Sequence, residues 1–108
     1  MILLECPFLK QPVRVSRELE RHILLDNDDL AADWPRLVAL VLEDPDEIRR
    51  SARDEGTLVF GRWYPELVHG KFVLVVVVLD STGGQGPWVV TAYVARRWRA
   101  GTVAWRRR

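Results

Sequence analysis

His22, Arg62, Thr91 and Tyr93 are the side chains of this sequence whose types and spacing could carry chemistry. His22 can give and take a proton near neutral pH, because imidazole is the side chain that titrates there unperturbed. It falls on one helical face with Leu19 and Ile23, so the alternative is a histidine at the border of the core that bonds a carbonyl. Arg62 follows Leu58 and Phe60 and precedes Tyr64 on one strand face, a cation in a row otherwise apolar or aromatic. Its planar fork matches two phosphate oxygens at once; a strand-end arginine in water is the competing reading. Thr91 and Tyr93 alternate with Val90, Ala92 and Val94. If the aliphatic face is the buried one, a hydroxyl and a phenol stand together on the open face, where they could hold a phosphate and stack on a base. Ordinary strand propensity accounts for the same pair. Lys71, at the mouth of the most apolar strand, is a second phosphate contact or a hairpin lysine, and His69 beside Gly70 reads as a solvated loop residue.

Other chemistries lack their residues. Cys6 is the only cysteine, which excludes an intrachain disulfide and metal sites built from several thiolates, and fits a reducing interior. The acids of "EDPDE", among them Asp44, Asp46 and Glu47, lack the glycine and the ligand spacing of a calcium loop and read as turn chemistry. "STGGQG" has glycines but no lysine placed after them, so it is no phosphate-binding loop. No metal and no cofactor are expected. The charges nearly cancel, at 16 Lys and Arg against 15 Asp and Glu, yet they are unevenly placed. Residues 26–55 hold 10 acids and 4 bases, whereas residues 91–108 hold 6 arginines and no acid. The chain is dipolar, with a basic end that suits a polyanion.

The elements that must position these groups follow from pattern. At 108 residues with 48% hydrophobic composition and five tryptophans, a single folded domain over residues 1–108 is expected. "MILLEC" has no basic leader, and the longest apolar run, Phe72 to Leu79, is far short of the roughly 20 residues that span a bilayer. The expectation is a soluble, cytoplasmic chain with no membrane partner. Pro7 and Pro12 bracket a short irregular start, and Ser16 stands as N-cap before "RELERHILL". A second helix begins near Asp33 with Pro35 in its first turn, carries a stripe of Leu37, Leu40 and Val41 widened by Val38 and Leu42, and ends at Pro45. "DPDEIRRS" reads as a turn with a further helical turn. From Thr57 the period becomes two, giving the strands "TLVFGRWY", "KFVLVVVVL" and "PWVVTAYVA", with "GTVAW" as a fourth, edge strand. The expected fold is α+β, two N-terminal helices packed on a small antiparallel β-meander of three to four strands.

The order of these pieces, a helix with "RH", a helix ending in "DPDEI", then "VFGRWY", "KFVLVVVVL" and "WVVTAYVARRWRAGTVAW", resembles the small phage and bacterial nuclease domains grouped as barnase, EndoU, colicin and RelE-like. The likeness covers roughly residues 17–105. It implies a metal-independent endoribonuclease of toxin type, a hydrolase that cuts RNA by attack of the 2′-hydroxyl on the adjacent phosphate. His22 would be general base or acid, Arg62 would stabilise the phosphoryl charge and Thr91 would hold a non-bridging oxygen. Lys71, Tyr93, Arg96, Arg97 and Arg99 would contact the RNA, and a cognate antitoxin or inhibitor protein would be its partner in a toxin–antitoxin pair. The chain departs from the group at "DDLAADWPRL", where a His-Pro or His-Val-Glu stretch is often seen. The alternative is therefore a non-catalytic module on the same scaffold that binds RNA or protein, such as an antitoxin, immunity or accessory protein.

Overall fold

A computed structural model describes residues 2–26, 33–52, 54, 56–67, 70–79, 86–98 and 101–107, the side chains of 22–26 excepted. Its elements in chain order are β1 (Ile2–Leu4), β2 (Val13–Val15), α1 (Arg17–Asp26), α2 (Trp34–Glu43), β3 (Glu47–Ser51), β4 (Thr57–Tyr64), β5 (Lys71–Val78), β6 (Trp88–Ala95) and β7 (Gly101–Arg106). The seven strands form one sheet in the order β1-β2-β6-β5-β4-β3-β7. All neighbours are antiparallel except β2 and β6, which meet in parallel at Arg14 and Trp88.

This corrects the expected three-to-four-stranded antiparallel meander in three places. β3 occupies "EIRRS", where a helical turn is expected, because its backbone groups are taken by β4 on one side and β7 on the other. β1 and β2 lie in the irregular start, three residues each, paired Ile2 with Val15 and Leu4 with Val13. The sheet, not the helix pair, is therefore the body of the molecule. Strands this short carry no periodicity of their own, and their pairing depends on neighbours distant in sequence.

The helices form where their signals stand. Ser16 Oγ accepts the Leu19 N–H at 3.1 Å, which caps α1. α2 carries Pro35 in its first turn and buries Trp34, Leu37, Val38, Val41 and Leu42 on one stripe. That stripe meets Ile48, Leu58, Phe60, Val73, Val75 and Val77 in one dry cluster, to which Cys6, Val13, Val15, Val89 and Ala92 also belong. Tyr64 seals its edge by donating its hydroxyl to the Leu37 carbonyl at 2.9 Å. Burial pushes that phenol up to about 12, against the opposing pull of Arg62 and Arg36. β5 is covered on both faces, as its unbroken apolar run requires: Val73, Val75 and Val77 meet the helices, while Leu74 and Val76 face the other way.

The far face is covered in part by Trp98, three residues beyond the end of β6. Ala95 and Gly101 are six residue steps apart, a reach of roughly 20 Å. On a flat sheet their positions would be separated by four strand intervals and about six residues along the strands, roughly 28 Å in all. The sheet must therefore bend along that diagonal. Trp98 lies on the far face, packed with Leu74, Phe72 and Tyr93. Gly61 makes the approach possible, because a Cβ at this position would fall inside the Trp98 ring and against Leu74.

Candidate functional site on the open face

The two faces of the sheet sort the residues singled out above. Along β4, Leu58, Phe60, Arg62 and Tyr64 point to the helices, while Thr57, Val59, Gly61 and Trp63 point to the opposite face. Along β6, Thr91 and Tyr93 share that opposite face with Val59, Leu74 and Val76. The ladder slips between β5 and β6: Val76 pairs with Thr91 but Val77 pairs with Val89, which leaves Val90 as a bulge. Val90 is consequently exposed and Val89 takes its expected place in the core. Thr91 and Tyr93 keep the common open face that their spacing implies.

Arg62 does not join them. Its Nη1 donates to the Asp44 carbonyl at 2.6 Å and to Asp44 Oδ2 at 3.0 Å, at the C-terminus of α2. A cation there satisfies a carbonyl left over by the helix and complements its dipole. The apolar row in which Arg62 stands is thus the helix-facing row, and the guanidinium joins α2 to β4. Lys71 pairs with Tyr64 in the ladder, which puts it on the helix side, where it has an interaction of its own. His22 falls within α1, with its side chain outside the described residues, as His69 and Arg99 are altogether. Arg62 and Thr91, expected in one constellation, therefore stand on opposite sides of the sheet.

The basic end is partly neutralised within the fold. Arg106 Nε donates to Glu47 Oε1 at 2.6 Å, and Arg49 donates to the other carboxylate oxygen. Burial alone would raise the Glu47 carboxyl, but the bonds from Arg106 and Arg49 outweigh it and hold the group below the usual carboxylate range. Arg107 donates to Asp44 and sits 3.3 Å from Asp46 Oδ1. Desolvation of Asp44 is likewise outweighed by Arg107 and Arg62, which lower its pKa. Asp46 Oδ2 accepts the Trp63 N–H at 2.7 Å. The "DPDE" stretch is the joint at which α2, β3, β4 and β7 meet, a role its turn-like composition does not announce. Arg96 and Arg97, directly after β6, are exposed.

Below Trp98 the open face falls away into a hollow of about 280 Å³. Val59 and Val76 contribute to its lining, together with the polar residues Ser51, Asp54, Thr57 and Thr91. The hydroxyls come from three strands whose registers bring them to one end of the sheet. Ser51 ends β3, Thr57 begins β4 and Thr91 sits at the β6 slip. Thr57 is itself buried, at 8% exposure. A hollow with an aliphatic floor and, among the described residues, hydroxyls and a carboxylate around it can accept a polar ligand by hydrogen bonds. Sequence reasoning finds Thr91 there and misses Ser51, Asp54 and Thr57; the signal for Thr57 is its place on the Val59 side of β4.

Among the described residues no group of three or more His, Cys, Asp or Glu side chains converges to hold a metal ion. Cys6 is buried, and burial raises its thiol pKa, so it packs as a small apolar group. No helix among the described residues is long and apolar enough to cross a membrane. Comparison of the chain with protein-family models, with curated proteins and with solved structures finds no match.

Proposed function

We propose that this chain binds single-stranded RNA on the open face of its sheet. The observation that supports the reading is the hollow lined by Ser51, Asp54, Thr57 and Thr91, on the same face as Tyr93 and on the strand that leads into the exposed Arg96 and Arg97. Hydroxyls can donate to phosphate oxygens and 2′-hydroxyls, and arginines contribute a sequence-blind attraction to the backbone. Thr91→Val keeps the shape and removes the donor. It is expected to weaken binding of a short unstructured RNA about tenfold, as loss of one charge-assisted hydrogen bond does, with the melting temperature unchanged. Equal affinity of the variant and the parent protein in a polarisation titration at fixed salt would remove the hollow from the reading.

A second reading is favoured by Asp54, the carboxylate among the residues lining the hollow with Thr91. A carboxylate can take the proton of an RNA 2′-hydroxyl as that oxygen attacks the adjacent phosphate; the bond from phosphorus to the 5′-oxygen breaks, the 5′-oxygen takes a proton from water, and a 2′,3′-cyclic phosphate remains. On this reading the domain is a toxin-type endoribonuclease that needs no metal, and the cell that makes it needs an inhibitor protein. Arg62 then serves the scaffold and takes no part at the phosphate. Cleavage products that persist in EDTA and disappear in Asp54→Asn support this reading; a complex that forms without product after long incubation supports binding alone.

A further inference from the structure

We infer that Trp63 is a stacking platform for an unpaired base of the RNA held on this face, an inference that rests on the binding reading above. Trp63 is 42% exposed, whereas Trp34 is buried at 5%. Despite its exposure the ring is packed against two neighbours. Its edge packs against Phe72, with ring centroids 5.0 Å apart and planes at 70°. Gly70 also lies close against it, at φ 66°, where any Cβ would run into the indole. The backbone of Trp63 is held as well, through its N–H to Asp46. An exposed aromatic that is already ordered loses little conformational entropy when a second ring stacks on it.

The charge beside it favours a nucleic acid over an apolar partner. Trp63 pairs with Phe72, and Phe72 pairs with Ala95, so two strand intervals, about 10 Å, separate the backbone of Trp63 from that of Ala95, which the exposed Arg96 and Arg97 follow directly. Long guanidinium side chains can close much of that gap. A flat aromatic next to exposed cations suits a base and its flanking phosphates together, and bases of every type stack on such a surface. Trp98, next in the aromatic run at 5.9 Å from Phe72, already carries the Arg49 guanidinium 5.0 Å over its ring. Trp63 is the member of that run with an exposed ring.

The test compares two strands of equal length, an intact single-stranded RNA of about a dozen nucleotides and one with abasic positions, each titrated with the parent chain, Trp63→Ala and Trp63→Phe. Trp63→Ala is expected to weaken binding of the intact strand about 10- to 100-fold, and Trp63→Phe to restore most of it. Neither should alter affinity for the abasic strand, while Arg96→Ala should weaken both strands and lower the salt slope by about one. Intact-strand affinity unchanged in Trp63→Ala overturns the platform and leaves RNA binding standing; absence of RNA binding by the parent chain overturns both. Equal loss on both strands, with a lowered melting temperature that Trp63→Phe shares, assigns the ring to the scaffold and overturns the platform. So does loss of a bound protein partner in Trp63→Ala while RNA affinity is kept.

Discussion

The two faces of this sheet are built from the same strands and do opposite work. The helix-facing side is filled by Phe60, Ile48, Val73, Val75 and Val77 against α2, and a cation on it, Arg62, is used to bind a helix end. The other side is covered, among the described residues, by Trp98 with the Arg49 guanidinium over its ring and by the small group around Leu74, and past them it opens into a polar hollow. Because strand residues alternate, each of β4, β5 and β6 supplies the core with every second side chain and leaves the intervening ones available for other uses. Polar groups are tolerated only where water, a ligand or a hydrogen-bond partner can reach them. The face with the thinner cover is consequently the one on which hydroxyls, an exposed tryptophan and arginine-rich chain can act.

That contrast can be broken on the helix side first. Phe60 is fully buried and meets Phe8 edge-on at 6.1 Å. Phe60→Ala should cost about 3–5 kcal/mol, enough to endanger folding, measured by urea unfolding. On the other face the largest effect belongs to Gly61. Gly61→Ala must displace Trp98 and should cost about 1–3 kcal/mol. Adding Trp98→Ala should return part of that loss, so an additive double variant would contradict the packing described. Glu47→Gln should cost about 1–2 kcal/mol at neutral pH, since it weakens bonds from Arg106 and Arg49. The pH dependence carries a sign. A carboxyl whose pKa is lowered by folding contributes stability above its unfolded value of about 4.3, and that contribution is lost as pH falls through the lower folded value. The gap between Glu47→Gln and the parent should therefore shrink as pH falls through that lowered value, and a constant gap would contradict the ion pairing.

Much of the scaffold is legible in the amino-acid pattern alone. β5 announces a doubly covered strand by its unbroken run of apolar residues from Phe72 onward, and α2 shows its stripe and its proline. β1, β2 and β3 do not, because three to five residues, with arginines in two of the three, hold no pattern that separates strand from turn. The state of β3 is set by partners as far away as Arg106. The candidate site divides the same way. Thr91 and Tyr93 are placed correctly relative to each other by alternation alone, even though the bulge at Val90 shifts the strand's first residues. Arg62 is misassigned for a physical reason: alternation says that it shares a row with Leu58, Phe60 and Tyr64 but not which row of β4 lies beside Thr91. A row so apolar is the buried one, and a cation within it is better read as a partner for a helix end.

The claim that the open face is the binding face is tested most directly by ultraviolet cross-linking of a 4-thiouridine-substituted single-stranded RNA, with the adducts located by mass spectrometry of the digested chain. Adducts are expected on the segments that carry Thr57 to Trp63 and Thr91 to Arg97. Adducts confined to α1, α2 or β1, with those two segments clean, would contradict the account.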